Sequence, residues 1–205
     1  MHRATPLPDE LLSRPFRVSE ALELGLTRKR LRSADLWMPY RGVRVPRALG
    51  WDPRLRARSG LLVCPPGTLV VGLDALAVAG LPLPISEEAL LERRLAVCAP
   101  PSTDPFENDQ LAVRWAAVSQ LLPRVLDEGV LRLADTDLWL HEVLGGRHQL
   151  TAGYRARLGR AVVERVDGDQ RVLRAAVDRL GSSTRARGQR LVDEALEGRE
   201  TWLSA

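Results

Sequence analysis

The chain has 205 residues, of which 45% are hydrophobic and 27% charged, so its composition is globular and its length excludes a large multidomain protein. The formal net charge of +4 is unevenly divided: residues 1–58 carry +7, residues 59–150 carry −6 and residues 151–205 carry +3. Such asymmetry suggests one end that faces a polyanion and a separate part that faces another partner. The N-terminus lacks the apolar region of a signal peptide and no stretch suits a membrane span, so we expect a cytoplasmic protein.

The spacing of a helix-turn-helix runs through residues 17–36, RVSEALELGLTRKRLRSADL. Ala21 is the small residue needed where the second helix crosses the first, and Gly25, four positions later, can adopt the positive φ of the turn. Glu20 departs from the pattern, because many such motifs have an apolar residue at that position. The residues expected to be buried around the turn are Leu24, Leu26, Leu31 and Ala34.

The second helix of this motif is predicted to carry a basic, exposed face. Thr27 can accept an otherwise unpaired backbone N–H and so begin the helix as its N-cap. Arginine and lysine side chains on the exposed face suit both phosphates and guanine edges. The residues of that face are Arg28, Lys29, Arg32 and Ser33, with Arg30 nearby.

The next segment, residues 36–48, predicts the wing of a winged helix. A turn at Met38-Pro39 is followed by an alternating strand over residues 40–45, in which Val43 and Val45 share one face. Arginines of a wing can follow a phosphate or enter the minor groove. The two wing arginines are Arg41 and Arg44, the second on the strand face opposite the valines. The open alternative is a small amphipathic helical hairpin whose arginines only contact water.

The remaining chain predicts a mixed α/β region followed by helices. Helices are expected over residues 54–63, 73–79 (ended by Gly80), 134–144 and 184–196, and strands over residues 94–98 and 111–116. One further helix is expected to bury a single face: Val172, Leu173, Ala176, Val177 and Leu180. The predicted fold class is α+β, with a winged helix-turn-helix at residues 1–50, a mixed α/β domain at 51–150 and a helical segment packing on it at 151–205.

Two segments resemble the AbiEi-type antitoxins and their actinobacterial relatives: FRVSEALELGLTRKRLRSADLWMPYRGVRVP (residues 16–46) and LRARSGLLVCPPGTLVVGLDALAVAGLPLP (residues 55–84). The shared features are a hydrophobic helix with Ala and Gly-Leu, a recognition helix that begins Thr-Arg, and a following Arg-Gly-Val strand. The resemblance covers residues 12–85 best. One departure is Val43-Arg44-Val45, where an aromatic residue is commoner.

The resemblance implies a DNA-binding antitoxin that represses its own operon and opposes a nucleotidyltransferase-like toxin, in a toxin–antitoxin or phage-defence system. The implied partners are double-stranded DNA of its own promoter and a cognate toxin protein. Carried over by position, the implied DNA contacts are Thr27, Arg28, Lys29, Arg30, Arg32 and Ser33 on the helix, and Arg41 and Arg44 on the wing.

No catalytic, metal or cofactor site is expected, and the chain is predicted not to be an enzyme. Some relatives add a nuclease domain whose Glu-x-Lys motif needs a lysine, and the only lysine here is Lys29 in the predicted recognition helix. Asp135 and Asp137 match an Asp-x-Asp metal pair but are better explained as a helix N-cap and a first-turn acid. Cys64 and Cys98 lie in apolar runs typical of buried thiols.

Two other functions are compatible with the sequence. One is a protein-interaction module that does not bind DNA and acts as a toxin neutraliser or a phage-encoded inhibitor. The other is an inactive remnant of a winged-helix endonuclease.

Overall fold

The computed structural model describes residues 6–100, 106, 108–115, 123–126, 131–134, 151–178, 180 and 182–203. These residues form helices and two β-sheets, which confirms the predicted α+β class. The helices are α1 (Asp9–Leu12), α2 (Val18–Glu23), α3 (Pro53–Leu61), α4 (Gly72–Val78), α5 (Glu87–Leu91), α6 (Ala152–Arg165), α7 (Gln170–Asp178) and α8 (Ser182–Leu203), and 3-10 turns cover Arg30–Arg32 and Arg47–Leu49. The strands are β1 (Phe16–Arg17), β2 (Leu36–Trp37), β3 (Val43–Pro46), β4 (Leu69–Val70), β5 (Leu95–Ala99), β6 (Leu111–Trp115), β7 (Pro123–Leu126) and β8 (Leu131–Ala134).

The first sheet is antiparallel, with strands in the order β1-β3-β2 and Phe16 opposite Arg44. Helix α2 follows β1 directly, and residues 38–42 join β2 to β3. Strand β3 begins at Val43 rather than at the predicted residue 40, because residues 39–42 form the bend between the strands. Side chains of this N-terminal unit form a small core: Leu7, Leu11, Phe16, Ala21, Leu26, Leu31 and Leu36.

The second sheet has five strands in the order β6-β5-β4-β8-β7 and mixes parallel with antiparallel pairs. At its centre, β4 pairs antiparallel with β5 and parallel with β8, where Val70 lies opposite Leu133. The strands predicted over residues 94–98 and 111–116 are confirmed to within one residue as β5 and β6. Strand β4 was not predicted, because so short an apolar run shows no alternation.

A larger core joins the N-terminal unit to the second sheet and the C-terminal helices. Val43 and Val45 of β3 are fully buried in it, which confirms that they share one face. The same cluster contains Leu76 of α4, Leu95 of β5 and Leu158 of α6, all three fully buried as well. Burial of each such side chain contributes about 1.5–3 kcal/mol to the stability of the fold. Because residues of both sheets belong to this one cluster, the two sheets share one interior.

Local capping signals explain where α3 and α4 begin and end. The Asp52 side chain accepts the Leu55 N–H at 2.6 Å, so α3 begins one residue before the predicted helix 54–63. Helix α4 is followed by Gly80 with a φ of +70°, which confirms the predicted glycine stop.

The C-terminal helices pack against one another and against the segment that follows α4. Helices α6 and α7 both contact α8. The Tyr154 hydroxyl donates to the Pro82 carbonyl at 3.0 Å, and Arg165 Nη1 donates to the Ala79 carbonyl at 2.6 Å. These bonds attach α6 to the larger core, while the domain boundaries at residues 50 and 150 remain predictions.

Two predictions for the C-terminal helices need correction. Val172 is 40% exposed, whereas the other four residues of the predicted face are buried: Leu173, Ala176, Val177 and Leu180. Helical geometry places Val172 about 90° from the centre of that face, which accounts for its exposure. The last helix runs from Ser182 to Leu203, so it starts before and ends well after the predicted range of residues 184–196.

The helix expected over residues 134–144 lies outside the described residues except for Ala134. That residue ends β8 instead of beginning a helix. Within the described part of the chain, no helix combines the length and apolar character required to cross a membrane.

Candidate nucleic-acid interface

Gly25 shapes the end of α2. Its φ of +83° confirms the predicted positive φ. The Leu26 N–H donates to the Ala21 carbonyl at 3.0 Å, and the Gly25 N–H donates to the Leu22 carbonyl at 3.0 Å. This pair of bonds is a Schellman cap, which ends the helix and redirects the chain.

The next segment forms a single 3-10 turn, Arg30–Arg32, in place of the predicted second helix. Thr27 Oγ1 accepts the Arg30 N–H at 3.2 Å, as an N-cap hydroxyl would, but the residue at the N-cap of this turn is Lys29. The backbone is extended at Ser33, with φ −70° and ψ +153°, so the turn cannot continue into a longer helix. We call residues 27–33 the basic turn.

The short turn changes which side chains around it are buried. Leu26 and Leu31 are buried as predicted. Leu24 is 41% exposed at the C-cap of α2, and Ala34 is exposed because the turn has already ended there. The prediction that these last two residues are buried is therefore wrong.

In the basic turn and the β2–β3 loop, four exposed cations make no hydrogen bond or ion pair through their side chains with any described residue. We call them the basic surface: Arg28, Lys29 and Arg32 of the basic turn and Arg41 of the β2–β3 loop. Of the three nearest acids in the sequence, Glu20 is held by Arg14 and Asp35 by Arg30, whereas Glu23 is exposed. The basic surface therefore keeps its positive charge available for a ligand.

Arg30 is not exposed, contrary to the prediction for a DNA contact. Its side chain is 6% exposed, and its Nη1 and Nη2 donate to the Asp35 carboxylate at 2.9 and 2.8 Å. Ser33 joins this cluster, accepting from Arg30 and lying with its Oγ 2.6 Å from Asp35 Oδ1. Burial raises the pKa of Asp35, but the hydrogen bonds from Ser33 and Arg30 outweigh it and hold that pKa below its ordinary value of 3.8. Sequence reasoning missed the cluster because a continuous helix does not bring residues five apart together.

Arg44 is a residue of β3 whose side chain extends to the basic turn, and it is half-buried rather than exposed on the wing. Its Nε donates to the Leu31 carbonyl at 2.6 Å, and its Nη1 donates to the Val43 carbonyl at 2.8 Å. Burial lowers the pKa of Arg44, and the nearby charge of Arg32 lowers it further. The two guanidinium groups therefore lie close enough to repel each other.

The β2–β3 loop is anchored on both sides of Arg41. Tyr40 is 3% exposed, and the Gly42 carbonyl accepts the Val18 N–H at 2.8 Å. Gly42 has a φ of +85°, which allows the chain to enter β3 directly after the bend. Arg41 is exposed between these two fixed points, and Met38 at the start of the loop is 65% exposed.

A stacked cation beside this loop was missed at the sequence level. Arg47 is exposed and lies over the Trp37 ring, with its Cζ 5.2 Å from the ring centroid. Trp37 and Trp51 are half-buried and meet edge to face with centroids 5.8 Å apart, as expected of packing anchors. No local pattern indicates the Arg47 contact, because it depends on the pairing of β2 with β3.

A polar cleft of about 290 Å³ lies between the β2–β3 loop and the end of α5. Its lining includes Arg56, whose side chain is 4% exposed and donates to Asp74 at 2.7 Å. Burial raises the pKa of Asp74, and the charge of Arg56 opposes that rise. The exposed lining includes both Arg93 and Asp109, so the cleft does not favour one sign of ligand charge.

No group of three His, Cys, Asp or Glu side chains that could hold a metal ion occurs within the ranges that the structure describes. Asp135 and Asp137 lie outside those ranges. Cys64 and Cys98 are buried thiols, as predicted, and burial raises the pKa of Cys64 to about 12.

No protein-family model matches this sequence, and no curated protein matches it.

Proposed function

We propose that the chain is a DNA-binding transcription regulator that contacts double-stranded DNA through its basic surface. The observation that carries the proposal is the exposure of four cations that are not neutralised by ion pairs with described residues, since the neighbouring acids Glu20 and Asp35 are paired with other arginines and Glu23 is exposed. Guanidinium and ammonium groups bind phosphate oxygens and guanine edges, and such contacts supply most non-specific DNA affinity. Thr27, which is exposed at the start of the basic turn, can add a hydroxyl contact.

The order of elements in the N-terminal unit supports this proposal. A helix, a strand, a helix, a turn and two further strands follow one another, and the strands pair as β1-β3-β2. This is the order expected of a compact winged helix, with the basic turn in place of the recognition helix and the β2–β3 loop in place of the wing. We propose that Arg41 of this loop contacts the DNA backbone beside the basic turn.

The proposal is tested by DNA binding as a function of salt. The wild-type chain should bind a duplex carrying its own promoter. At low salt it should also bind a random duplex, but more weakly than the promoter duplex. Removing a cation of the basic surface, as in Arg28→Ala or Arg32→Ala, should weaken binding. The slope of log K against log salt should also fall by about 0.9 for each phosphate that is no longer neutralised.

Arg171→Ala is the matched control for these variants. Arg171 is an exposed arginine of α7, so its removal changes the net charge equally but at a surface outside the N-terminal unit. If Arg171→Ala weakens binding as much as Arg32→Ala does, the basic surface is not the DNA contact. If the wild type binds no duplex at low salt, the proposed function is wrong.

We further propose that the regulator is an autorepressing antitoxin that acts in the cytoplasm against a nucleotidyltransferase-like toxin and is not itself an enzyme. This role rests on the sequence resemblance over residues 12–85. Co-expression with the product of the adjacent gene tests it: the toxin alone should arrest growth, and the two together should not. Arrest that persists in the presence of the chain would refute the antitoxin role without affecting DNA binding.

One observation favours a second candidate, a protein-interaction module that does not bind DNA. The basic turn is a single 3-10 turn, which offers fewer base contacts than a recognition helix lying along the major groove. Binding of the adjacent gene product with no affinity for DNA at low salt would establish this alternative.

A further inference from the structure

The basic turn is too short to hold its conformation alone. Its backbone bonds join Leu31 to Thr27 at 3.1 Å, Arg32 to Lys29 at 3.2 Å and Ser33 to Arg30 at 3.1 Å. A first helical turn is unfavourable in isolation, since it fixes several backbone dihedrals for each bond formed, and isolated helices shorter than about 12 residues are marginal in water. The conformation of the turn must therefore be stabilised by groups outside it.

The first outside group is the Asp35 carboxylate, which receives both ends of the Arg30 guanidinium at 2.9 and 2.8 Å. A planar guanidinium matches a carboxylate in this two-bond geometry, which resists rotation more than a single contact does. Because Asp35 follows the turn in the chain, the pair closes the turn on itself. The charge of Arg30 is used within the protein.

The second outside group is Arg44 of β3. Its Nε reaches the Leu31 carbonyl, one of the acceptors that a short turn leaves without a backbone partner. Its Nη1 reaches the Val43 carbonyl of the same strand. One guanidinium thus attaches the basic turn to β3, whose valines are fixed in the larger core.

We propose that Arg30 and Arg44 are positioning residues for nucleic-acid binding rather than phosphate contacts. They hold the basic turn so that the cations of the basic surface are presented together from a fixed backbone. This inference rests on the proposed function and adds a division of labour within it: two arginines face inward and hold the turn, and the others face outward and bind.

Asp35→Asn gives the sharpest test, because electrostatics and positioning predict opposite results. The substitution removes a negative charge beside a cationic surface, so charge alone predicts tighter DNA binding. Positioning predicts binding weaker by about tenfold, since the charged pair that closes the turn is removed. The Asp35 side chain is 54% exposed, so the variant should remain folded, as a thermal melt will show.

Glu23→Gln is the matched control, because Glu23 is an exposed acid of α2 whose removal changes the charge equally. It should bind a random duplex as tightly as the wild type or slightly more tightly. Tighter binding by both variants would overturn the inference while leaving the proposed function intact.

Arg44→Lys provides an independent test. Lysine keeps the charge but cannot donate from two nitrogens in the planar geometry of arginine. We expect affinity to fall about tenfold with an unchanged salt slope, because every phosphate stays neutralised by the same cations. Wild-type affinity in Arg44→Lys, with a slope reduced by about 0.9 in Arg44→Gln, would show that Arg44 binds a phosphate and overturn the inference. Absence of any wild-type binding would overturn both the inference and the proposed function.

Discussion

Gly25 meets a conformational demand that other residues meet poorly. Its φ is +83°, and a Cβ placed there would have no heavy atom within 4 Å, so backbone strain is the only cost of a side chain. We expect Gly25→Ala to lower the free energy of unfolding by about 1–2 kcal/mol in urea denaturation. Gly153 also has open space but no positive φ, so Gly153→Ala should leave stability unchanged or raise it by about 0.5–1 kcal/mol. Equal effects of the two substitutions would contradict this explanation.

Asp74 has a structural role that its burial makes sensitive to substitution. Its Oδ1 accepts from Arg56 at 2.7 Å and its Oδ2 accepts the Ala96 N–H at 2.9 Å. Asp74→Ala leaves a guanidinium buried without its counter-charge, so we expect the free energy of unfolding to fall by about 3–5 kcal/mol. Asp109→Ala, at an exposed position, should change it by less than about 0.5 kcal/mol. A comparable decrease in the free energy of unfolding of both variants would show that the buried pair of Arg56 and Asp74 has no special role.

The basic turn shows what a sequence pattern can and cannot predict about an element. The spacing of Ala21 and Gly25 predicts the glycine turn, and Thr27 predicts a hydroxyl that accepts a nearby backbone N–H, because both follow from backbone geometry within a few residues. The length of the second helix is predicted wrongly, because Asp35 and Arg44 act on it from outside its own sequence. Local propensity alone cannot weigh such contacts.

The same distinction applies to the candidate site. The exposed cations were predicted from their spacing on one side of the motif. The inward orientation of Arg30 and Arg44 was not predicted, since it depends on a carboxylate after the turn and on strand pairing. The contact of Arg47 with Trp37 was not predicted because it also depends on strand pairing.

The ion pair between Arg14 and α2 should make the N-terminal unit sensitive to acid. The hydrogen bond from Arg14 holds the pKa of Glu20 below its ordinary value of 4.5. A carboxyl whose pKa is lowered by folding stabilises the fold above its ordinary pKa, and this stability disappears as the pH falls through the folded pKa. Glu20→Gln should therefore cost about 1 kcal/mol or less at pH 7, because the pair is partly exposed, and nothing once the pH is well below 4.5.

Melting temperatures of the wild type and Glu20→Gln between about pH 3 and pH 7 measure this difference. Glu23→Gln is the control, because Glu23 is an exposed acid of the same helix α2. A difference between wild type and Glu20→Gln that grows as the pH falls would contradict the assigned sign.

At the scale of the whole molecule, the shared interior predicts cooperative unfolding. Val43 and Val45 belong to the N-terminal sheet but are buried in the larger core. We expect calorimetry to show one transition, with equal calorimetric and van't Hoff enthalpies. Leu11→Ala, in the small core, should lower the stability of that whole transition by about 2–5 kcal/mol. Its neighbour Leu12 is 48% exposed, so Leu12→Ala is the control and should have little effect.

Two separate transitions, with only one shifted by Leu11→Ala, would show that the N-terminal unit unfolds independently. That outcome would agree with the predicted domain boundary at residue 50. It would also mean that the packing of β3 on the larger core contributes little to stability.

The central position of β4 has a consequence for the order in which the chain can fold during synthesis. Val70 pairs with Leu133, about 60 residues later, whereas Arg44 and Leu31, which join β3 to the basic turn, are only 13 positions apart. Contacts between distant residues form slowly, because the entropy of closing a long loop must be given up before the contact forms. The nascent chain can thus bring β3 and the basic turn together while β4 still lacks its β8 neighbour. Until the ribosome has synthesised β8, the apolar residues of β4 lack this neighbour, and such exposed apolar surface promotes aggregation and binds chaperones.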